Sequence, residues 1–377
     1  MAKLVAWVAL SVAILGCGHA APAVIPFEIA SNHIYVKGTF DGGKRWFLFD
    51  TGASASYVAS PLCSKEAPQR IGALVVGSVA IPKQAFNCWR VSDLGFDGHA
   101  LDGLLGYDFI SRYVVEIDYQ KRLLWLHDPA DYAYVGTATP TKLTLIEDDS
   151  GGKIPLATVG LTGPDGRRYE GPFIVDTGAR TTLTLGDRIA QRSGLTADSG
   201  GAVRVLVGGG SLVREARMAV RRAAAADFAG QTFTHPVITV SEDKTGILAA
   251  PEFDGVVGGE LLRRFRVVFD YSRSVMFLTP MADAAAPFEY DMSGTFVSGD
   301  GADFRIFTVR DVLHGSPASE AGLKVGDVIA AIDGVQAQDM SLEDLRARFR
   351  VEGRSYDVIV KRADRTIEVR LRTRRIV

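Results

Sequence analysis

The sequence has little of what cofactor-dependent and nucleic-acid-binding proteins carry. Among its 377 residues are 3 cysteines and 6 histidines, and the histidines show no metal-ligand spacing. The net charge is −2, so there is no overall positive field for a nucleic acid. The sequence also has no Gly-x-Ser-x-Gly elbow, and no glycine-rich loop ends in Gly-Lys. We therefore expect no cofactor, no metal ion and no nucleic-acid partner.

Apolar runs of membrane-spanning length are also missing. The longest apolar run, residues 4–15, follows Lys3 and precedes a stretch of small residues. This three-part pattern is typical of a secretory signal peptide, which we assign to residues 1–20, with two cleavage positions left open, before Ala21 or before Cys17. Residues 14–17 also resemble the lipobox of bacterial lipoproteins, which makes Cys17 a lipidation candidate. We expect an exported protein of the periplasm or cell envelope, held at a membrane only if Cys17 carries a lipid.

Two cysteines remain outside the signal segment. An even pair in an exported chain predicts a disulfide between Cys63 and Cys88, with two buried free thiols as the alternative. A closed loop of roughly 26 residues would stabilise the fold by about 3–4 kcal/mol in the chain-entropy treatment. Neither cysteine has a nearby histidine or Cys-x-x-Cys spacing, so the sequence gives them no catalytic or zinc role.

Composition indicates a β-rich chain with real cores. Hydrophobic residues make up 47%, and 40 glycines accompany a scarcity of long helical patterns. The length is enough for two or three ordinary domains.

The chain contains an internal duplication. Three apolar residues precede Asp50-Thr-Gly-Ala, and three apolar residues again precede Asp176-Thr-Gly-Ala. Downstream, residues 102–126 recur as residues 254–278 at a constant offset, with matching residue classes. Two copies are too few for a solenoid, so we predict a pair of similar lobes.

The second copy is longer between its Asp-Thr-Gly and its downstream block. We expect the extra residues to include residues 203–220, where apolar and polar residues alternate on both sides of Gly208, Gly209 and Gly210. This pattern predicts a long β-hairpin with a flexible tip. The first copy has a shorter segment in the corresponding place, with less room for such a hairpin.

Two aspartates that share one site have a defined chemistry. Carboxyl groups about 3 Å apart cannot both ionise, so one keeps a proton near neutral pH. The ionised member can take a proton from water while the protonated member polarises a carbonyl, and the pKa values belong to the pair. Thr51 and Thr177 offer hydroxyls to brace the turns, and Gly52 and Gly178 permit close backbone approach.

These motifs resemble the aspartic peptidases of the pepsin and retropepsin kind. Each Asp-Thr-Gly-Ala is followed by an apolar-apolar-Gly element ending at Gly106 or Gly258, and the resemblance covers most of residues 24–282. It implies a mainly β fold in which two retropepsin-like β-barrel lobes form a bilobal acid protease, with a cleft between the lobes. Carried over, Asp50 and Asp176 form the catalytic dyad. The same comparison assigns roles to the neighbouring residues, with loop support from Thr51, Gly52, Thr177 and Gly178, and a flap tip at Gly208, Gly209 and Gly210.

The C-terminal residues 304–349 resemble the PDZ domains of bacterial proteases. The matching elements are Gly315-Ser-Pro-Ala, Ala321-Gly-Leu, Gly326-Asp-Val-Ile and Ile332-Asp-Gly. The resemblance implies a module that takes an extended peptide as an added strand and holds its C-terminal carboxylate in backbone N–H groups. The holding loop should lie just before the first strand, at Asp303, Phe304, Arg305 and Ile306. The alternative is a module that packs on the lobes and binds nothing.

Together these features predict four segments: a signal peptide at 1–20, lobes at 24–130 and 137–282, and a PDZ domain at 286–377. We expect an exported, monomeric aspartic endopeptidase, since the pseudo-dimer is intramolecular, with a protein or peptide as substrate. The alternative is a catalytically silent peptide-binding or quality-control protein of the cell envelope. A further reading is that each aspartate caps a turn in its own lobe.

Overall fold

The protein is built almost entirely of β-strands in two lobes and a C-terminal module. The computed structural model describes residues 21–59, 62–63, 68–89, 98–198, 202–207, 216–242 and 247–377. The signal peptide predicted at residues 1–20 and the lipidation candidate Cys17 lie outside these ranges.

In its described residues, lobe 1 contains nine strands and one helical turn. Its short strand β7 is buried at every position, as expected for a strand in the middle of a sheet. Its elements are β1 (Ala23–Ala30), β2 (His33–Phe40), β3 (Gly43–Phe49), β4 (Tyr57–Ala59), β5 (Gln69–Val76), β6 (Val79–Trp89), β7 (Gly103–Leu105), α1 (Tyr107–Ile110), β8 (Val114–Asp118) and β9 (Leu123–His127).

Lobe 2 repeats this order with additions. Its strand β20 matches β7 and is likewise buried throughout. Its elements are β10 (Thr141–Lys142), β11 (Thr144–Glu147), β12 (Lys153–Thr162), β13 (Arg168–Val175), β14 (Leu183–Leu185), α2 (Asp187–Ser193), β15 (Val203–Val207), β16 (Ala216–Arg222), β17 (Ala225–Phe228), β18 (Gln231–Thr234), β19 (Val237–Val240), β20 (Gly255–Val257), α3 (Gly259–Leu262), β21 (Phe265–Asp270) and β22 (Val275–Pro280).

The strands that lead to the two aspartates pair in the same way. In lobe 1, β3 runs parallel to β7 with Phe49 opposite Leu105, and β7 also pairs antiparallel with β4. In lobe 2, β13 runs parallel to β20 with Val175 opposite Val257, and β20 pairs antiparallel with β14. The duplication predicted from the sequence is therefore a duplication of sheet topology and register.

The lobes meet through a shared sheet with two-fold symmetry. Strands β8 and β21 pair antiparallel, and Glu116 lies opposite Val268, its own counterpart in the repeat. Val115 faces Phe269, and Ile117 faces Val267. Val115 is the counterpart of Val267 and Ile117 that of Phe269, so exchanging the two lobes converts one pair into the other. This is the self-complementary register of a two-fold dimer, here within one chain.

The extra residues of lobe 2 are inserted between β14 and β16. They contain α2 and β15, which pairs antiparallel with β16 from Val203 opposite Val220 to Val207 opposite Ala216. The predicted hairpin is present, although its second strand is not part of the insertion. In lobe 1, where less room for a hairpin was expected, β5 and β6 pair as an antiparallel hairpin. These two strands correspond to the four strands from β16 to β19 of lobe 2, because β6 pairs parallel with β4 as β19 pairs parallel with β14.

The C-terminal module has its own five-strand path, in the order β23-β24-β25-β27-β28, and its own core. The helix α5 begins with a capping box at Ser341 and buries Leu342 and Leu345. The module consists of β23 (Thr295–Asp300), β24 (Ile306–Val312), α4 (Pro317–Glu320), β25 (Val328–Ile332), β26 (Val335–Gln336), α5 (Leu342–Arg348), β27 (Ser355–Arg362) and β28 (Arg365–Arg372).

The segment that joins lobe 2 to this module is fixed by two arginines. Arg264 donates to the carbonyls of Ala284 (2.9 Å) and Ala286, and its guanidinium lies 3.6 Å from the ring centroid of Phe288. Arg222 donates to the carbonyls of Phe288 (2.9 Å) and Val377 (3.1 Å). Residues 284–288 therefore lie against lobe 2 and are not a free tether.

The longest helices in the described part of the chain, α2 and α5, have 7 residues each. None of the helices described there is long and apolar enough for a membrane crossing.

Candidate active site

Asp50 and Asp176 each follow directly on a buried strand. The Asp50 N–H donates to the carbonyl of Leu105 (3.0 Å), and the Asp176 N–H donates to the carbonyl of Val257 (2.9 Å). Each carboxylate also accepts a bond from the glycine two residues later, Gly52 (2.9 Å) or Gly178 (2.7 Å). The apolar-apolar-Asp-Thr-Gly pattern thus positions each carboxyl group at the end of its own strand.

The two loops are joined by a reciprocal pair of threonines. The Thr51 hydroxyl donates to the carbonyl of Val175 (2.7 Å) and accepts from the N–H of Thr177 (3.0 Å). The Thr177 hydroxyl donates to the carbonyl of Phe49 (2.6 Å) and accepts from the N–H of Thr51 (3.1 Å). Both threonines are almost fully buried, and all four bonds cross between the lobes. The threonines therefore fix the spacing of the two aspartates.

Glycine is required where the loops approach each other. A Cβ built on Gly52 would overlap the carboxyl group of Asp176, and one built on Gly178 would overlap that of Asp50. The carboxyl groups of Asp50 and Asp176 are hydrogen-bonded to each other. The structure thus brings together all six residues that the sequence assigned to the dyad and its support.

Burial raises the pKa of Asp50 well above 3.8, and the charge of Asp176 and the hydrogen bond between the two carboxyls raise it further. Burial also raises the pKa of Asp176, while its hydrogen bond from Asp50 and the N–H of Gly178 lower it. The pair therefore holds one proton as a unit.

Two further residues interact electrostatically with this pair, and sequence reasoning did not select either. The buried His33, at the start of β2, lowers the pKa of Asp176 through its charge. Burial raises the pKa of the Tyr271 hydroxyl, and the charges of Asp50 and Asp176 raise it further. Tyr271 recurs as Tyr119 in the repeat, which was the one signal that could have drawn attention to it.

An apolar cluster adjoins each aspartate loop. In lobe 1 it includes Tyr35, Leu48 and Leu104, with Trp46 and Tyr57 at its edge. In lobe 2 the counterpart is mostly aliphatic, with Leu156, Ile174, Val256, Leu248 and Phe253. Ala53 and Ala179, the residues after each Asp-Thr-Gly, pack against these clusters, so the surroundings of the two aspartates differ in shape.

Hairpin turns from each lobe reach the aspartate loop of the other. The Asn32 amide donates to the carbonyl of Arg180 (2.8 Å), at the end of the second loop. In the opposite direction, Ser54 at the end of the first loop hydrogen-bonds Asp148, in the β11–β12 turn. The sequence gave no signal for either contact because both depend on how the lobes are joined.

No group of three His, Cys, Asp or Glu side chains in the described chain is arranged to hold a metal ion. The side chains at this site can perform the chemistry of a carboxyl pair that shares one proton. Backbone N–H groups and buried threonines fix the position of that pair.

Comparison with known proteins identifies the C-terminal module. Residues 308–362 match the family model described as "PDZ domain". The module is a PDZ domain. A search of curated proteins by sequence finds no match to the chain.

Among solved structures, the chain is similar to one titled "Crystal structure of aspartic proteinase from Irpex lacteus". The sequence identity is 15%, the alignment covers 71% of this chain and 99% of that chain, and the TM-score is 0.47. A similarity this distant carries no argument about activity, so the proposal below depends on the site itself.

The PDZ domain corrects one placement made from the sequence. Its first strand is β23, so the segment just before the first strand is residues 291–294. Asp303, Phe304, Arg305 and Ile306 instead form the turn between β23 and β24 and the start of β24. The placement failed because β23 precedes the block whose motifs resemble a PDZ domain.

The remaining candidates divide between described and undescribed residues. Cys63 and Cys88 form the predicted disulfide, with their Cα atoms 5.7 Å apart. The flap candidates Gly208, Gly209 and Gly210 lie outside the described residues, between β15 and β16.

Proposed function

We propose that this protein is an exported aspartic endopeptidase. The observation that supports this most directly is the hydrogen-bonded pair Asp50 and Asp176, whose loops come from the two halves of an internal duplication. A water between these carboxyls would attack the scissile carbonyl carbon and lose a proton to the ionised carboxylate, while the protonated carboxyl gives its proton to the carbonyl oxygen, which forms a gem-diol. The pair would then take one proton back from a gem-diol hydroxyl and give the other to the amide nitrogen as the C–N bond breaks.

The surroundings of the pair fit this chemistry. The carboxyls are desolvated, which strengthens their interaction and keeps one proton on the pair. Four threonine bonds between the lobes hold the carboxyls in place, so little reorganisation is needed when a substrate binds. The apolar clusters beside both loops would suit the side chains of an extended peptide.

Export is supported by the disulfide, since such bonds persist in oxidising compartments. It agrees with the signal-peptide pattern of residues 1–20.

Hydrolysis of reduced, denatured casein by the purified chain tests the proposal. We expect cleavage that a pepstatin-type inhibitor suppresses, and a loss of at least about 100-fold in Asp50→Asn and in Asp176→Asn. Asp149→Asn, which changes an exposed carboxylate, is the control and should cleave normally. Undiminished hydrolysis in either dyad variant would remove the mechanism. A chain that folds but never cleaves would favour the silent peptide-binding protein.

A further inference from the structure

The PDZ domain has one edge that is suited to strand addition. Strands β23 and β28 are the edges of its sheet, and α5 packs beside β23. A segment added at β23 would gain main-chain bonds along the strand and side-chain pockets against the helix. A cavity of about 140 Å³ lies there, lined by residues of β23 and α5 on one side and by residues of the two lobes on the other.

The N–H groups that lead into β23, those of residues 292–295, are already bonded within the domain. Asp291 fills this turn with its own carboxylate, which accepts from the N–H groups of Ser293 (2.9 Å) and Gly294 (2.6 Å). The Met292 N–H donates to the carbonyl of Phe349 (2.8 Å), and the Thr295 N–H donates to the Ser293 hydroxyl (3.1 Å). All four N–H groups of residues 292–295 are therefore satisfied from within the domain.

The helix side of the groove is bonded to lobe 1. Arg346 of α5 donates to the Ser31 hydroxyl and to the carbonyl of Val297 on β23 (3.3 Å). The Glu343 carboxylate accepts from the N–H of Ser31 (3.3 Å). One arginine thus spans the groove and links it to the turn at Ser31 and Asn32.

The edge of β23 is covered by both lobes. A Cβ built on Gly299 would lie 3.3 Å from the Cα of Gly98 in lobe 1, and Arg180 of lobe 2 lies over the ring of Phe296 at 5.8 Å. Strand β15 of the lobe 2 insertion also approaches β23, with Cα atoms within 8 Å. Because Asn32 is bonded to the carbonyl of Arg180, the covered groove adjoins the loop that carries Asp176.

We propose that the strand-addition groove of this PDZ domain serves the chain itself. Its occupant is the turn at Ser31 and Asn32, with Asp291 in the place of a ligand carboxylate, and the groove does not capture the free C-terminus of a second protein. The domain acts as a clamp across the two lobes next to the second catalytic loop. This inference stands whether or not the lobes are catalytic.

Peptide binding to the full chain tests it. Two sets of fluorescein-labelled decapeptides ending in Val, Leu or Phe, one with free carboxylates and one amidated, are titrated by fluorescence anisotropy. The chain carries Asp50→Asn so that no peptide is cut. We expect no carboxylate preference, whereas a preference of about tenfold or more for free carboxylates, equal to 1.4 kcal/mol, would overturn the proposal.

Two groups of variants test separately whether the turn at Ser31 covers the groove and whether the Asp291 carboxylate fills the segment before β23. Glu343→Ala with Arg346→Ala, the uncovered variant, removes the bonds that hold the turn at Ser31 against α5 and should improve binding of both sets at least about tenfold, still without a carboxylate preference. Arg370→Ala, on the exposed face of β28, is the matched control and should behave like the parent chain. Binding by the uncovered variant that is no better than the control, in a chain folded by circular dichroism, would also overturn the proposal.

Adding Asp291→Ala to the uncovered variant should free the N–H groups of Ser293 and Gly294. We expect a preference for peptides with free carboxylates only in this triple variant. Asp291→Asn keeps an acceptor oxygen for the turn and should not produce it. The same preference in both Asp291 variants would contradict the role given to the Asp291 carboxylate.

Discussion

The two lobes agree where they meet and differ at their outer parts. Their aspartate loops share register, threonine bonds and glycine contacts, residue for residue. Between β4 and β5, lobe 1 has a short connection tied by the Cys63–Cys88 disulfide. In the same place lobe 2 has α2, β15 and residues 208–215. The shared parts are those that a carboxyl pair needs from both sides, while the rest was free to diverge.

The difference extends to the apolar clusters. Tyr35, Trp46 and Tyr57 give lobe 1 an aromatic side, and Leu156 and Ile174 give lobe 2 an aliphatic one. Symmetry at the carboxyls is thus combined with asymmetry around them, which would let the two sides of a bound peptide be distinguished.

The largest effect is expected from the glycines at the symmetric contact. Gly52→Ala and Gly178→Ala should each lower kcat/KM by at least about 100-fold, because the added methyl group displaces the aspartate of the opposite lobe. Casein hydrolysis measures the loss, and circular dichroism checks that the chain still folds. A large loss in only one variant would show that the two loops are not equivalent in function.

Removing the Cys63–Cys88 disulfide should destabilise lobe 1, which contains it, and not lobe 2. Cys63→Ser with Cys88→Ser should lower the free energy of unfolding by about 3 kcal/mol, because the unfolded chain regains the entropy of the closed loop. Urea unfolding followed by tryptophan fluorescence measures it, with the parent chain in reducing agent as the matched control. An unchanged midpoint in both would mean that lobe 1 does not depend on the bond.

The threonines should respond equally in either lobe. Thr51→Ala and Thr177→Ala each remove two buried bonds and should each cost about 1–3 kcal/mol of stability. The double variant removes all four bonds, and its cost should differ from the sum of the single costs because the two threonines contact each other in one network. Thr→Ser at either position keeps the hydroxyl and is the control. Strict additivity in chemical denaturation would argue against one shared network.

The smallest effect is expected in how the free energy of unfolding depends on pH. Because the native pKa of Asp50 lies above 3.8, the native state binds more protons than the unfolded state, and stability falls as pH rises from 3.8 towards that native pKa. Asp50→Asn cannot ionise, so its stability relative to the parent should increase from pH 4 to pH 7. Thermal unfolding at both pH values measures this, and a constant difference would contradict the assigned shift.

Much of the site was predictable because it is local and repeated. The duplicated Asp-Thr-Gly and apolar-apolar-Gly elements predicted the β fold and the residues at its centre. His33 and Asn32 could not be found in this way, since their relation to the carboxyls comes from lobe packing, and Tyr271 was marked only by its recurrence as Tyr119. Likewise, the position of β23 and the filling of its groove depend on contacts with segments hundreds of residues away along the chain, such as Ser31 with Glu343.

The sequence alone determined that there are two equivalent aspartates, because repeated motifs specify the same strand, turn and glycine contacts twice. It also determined the cysteine pair and the presence of a PDZ domain. Only the tertiary structure decided that the aspartates share a hydrogen bond and that the PDZ groove is turned inward. Both depend on the orientation of whole lobes, which long-range packing sets and short motifs do not encode.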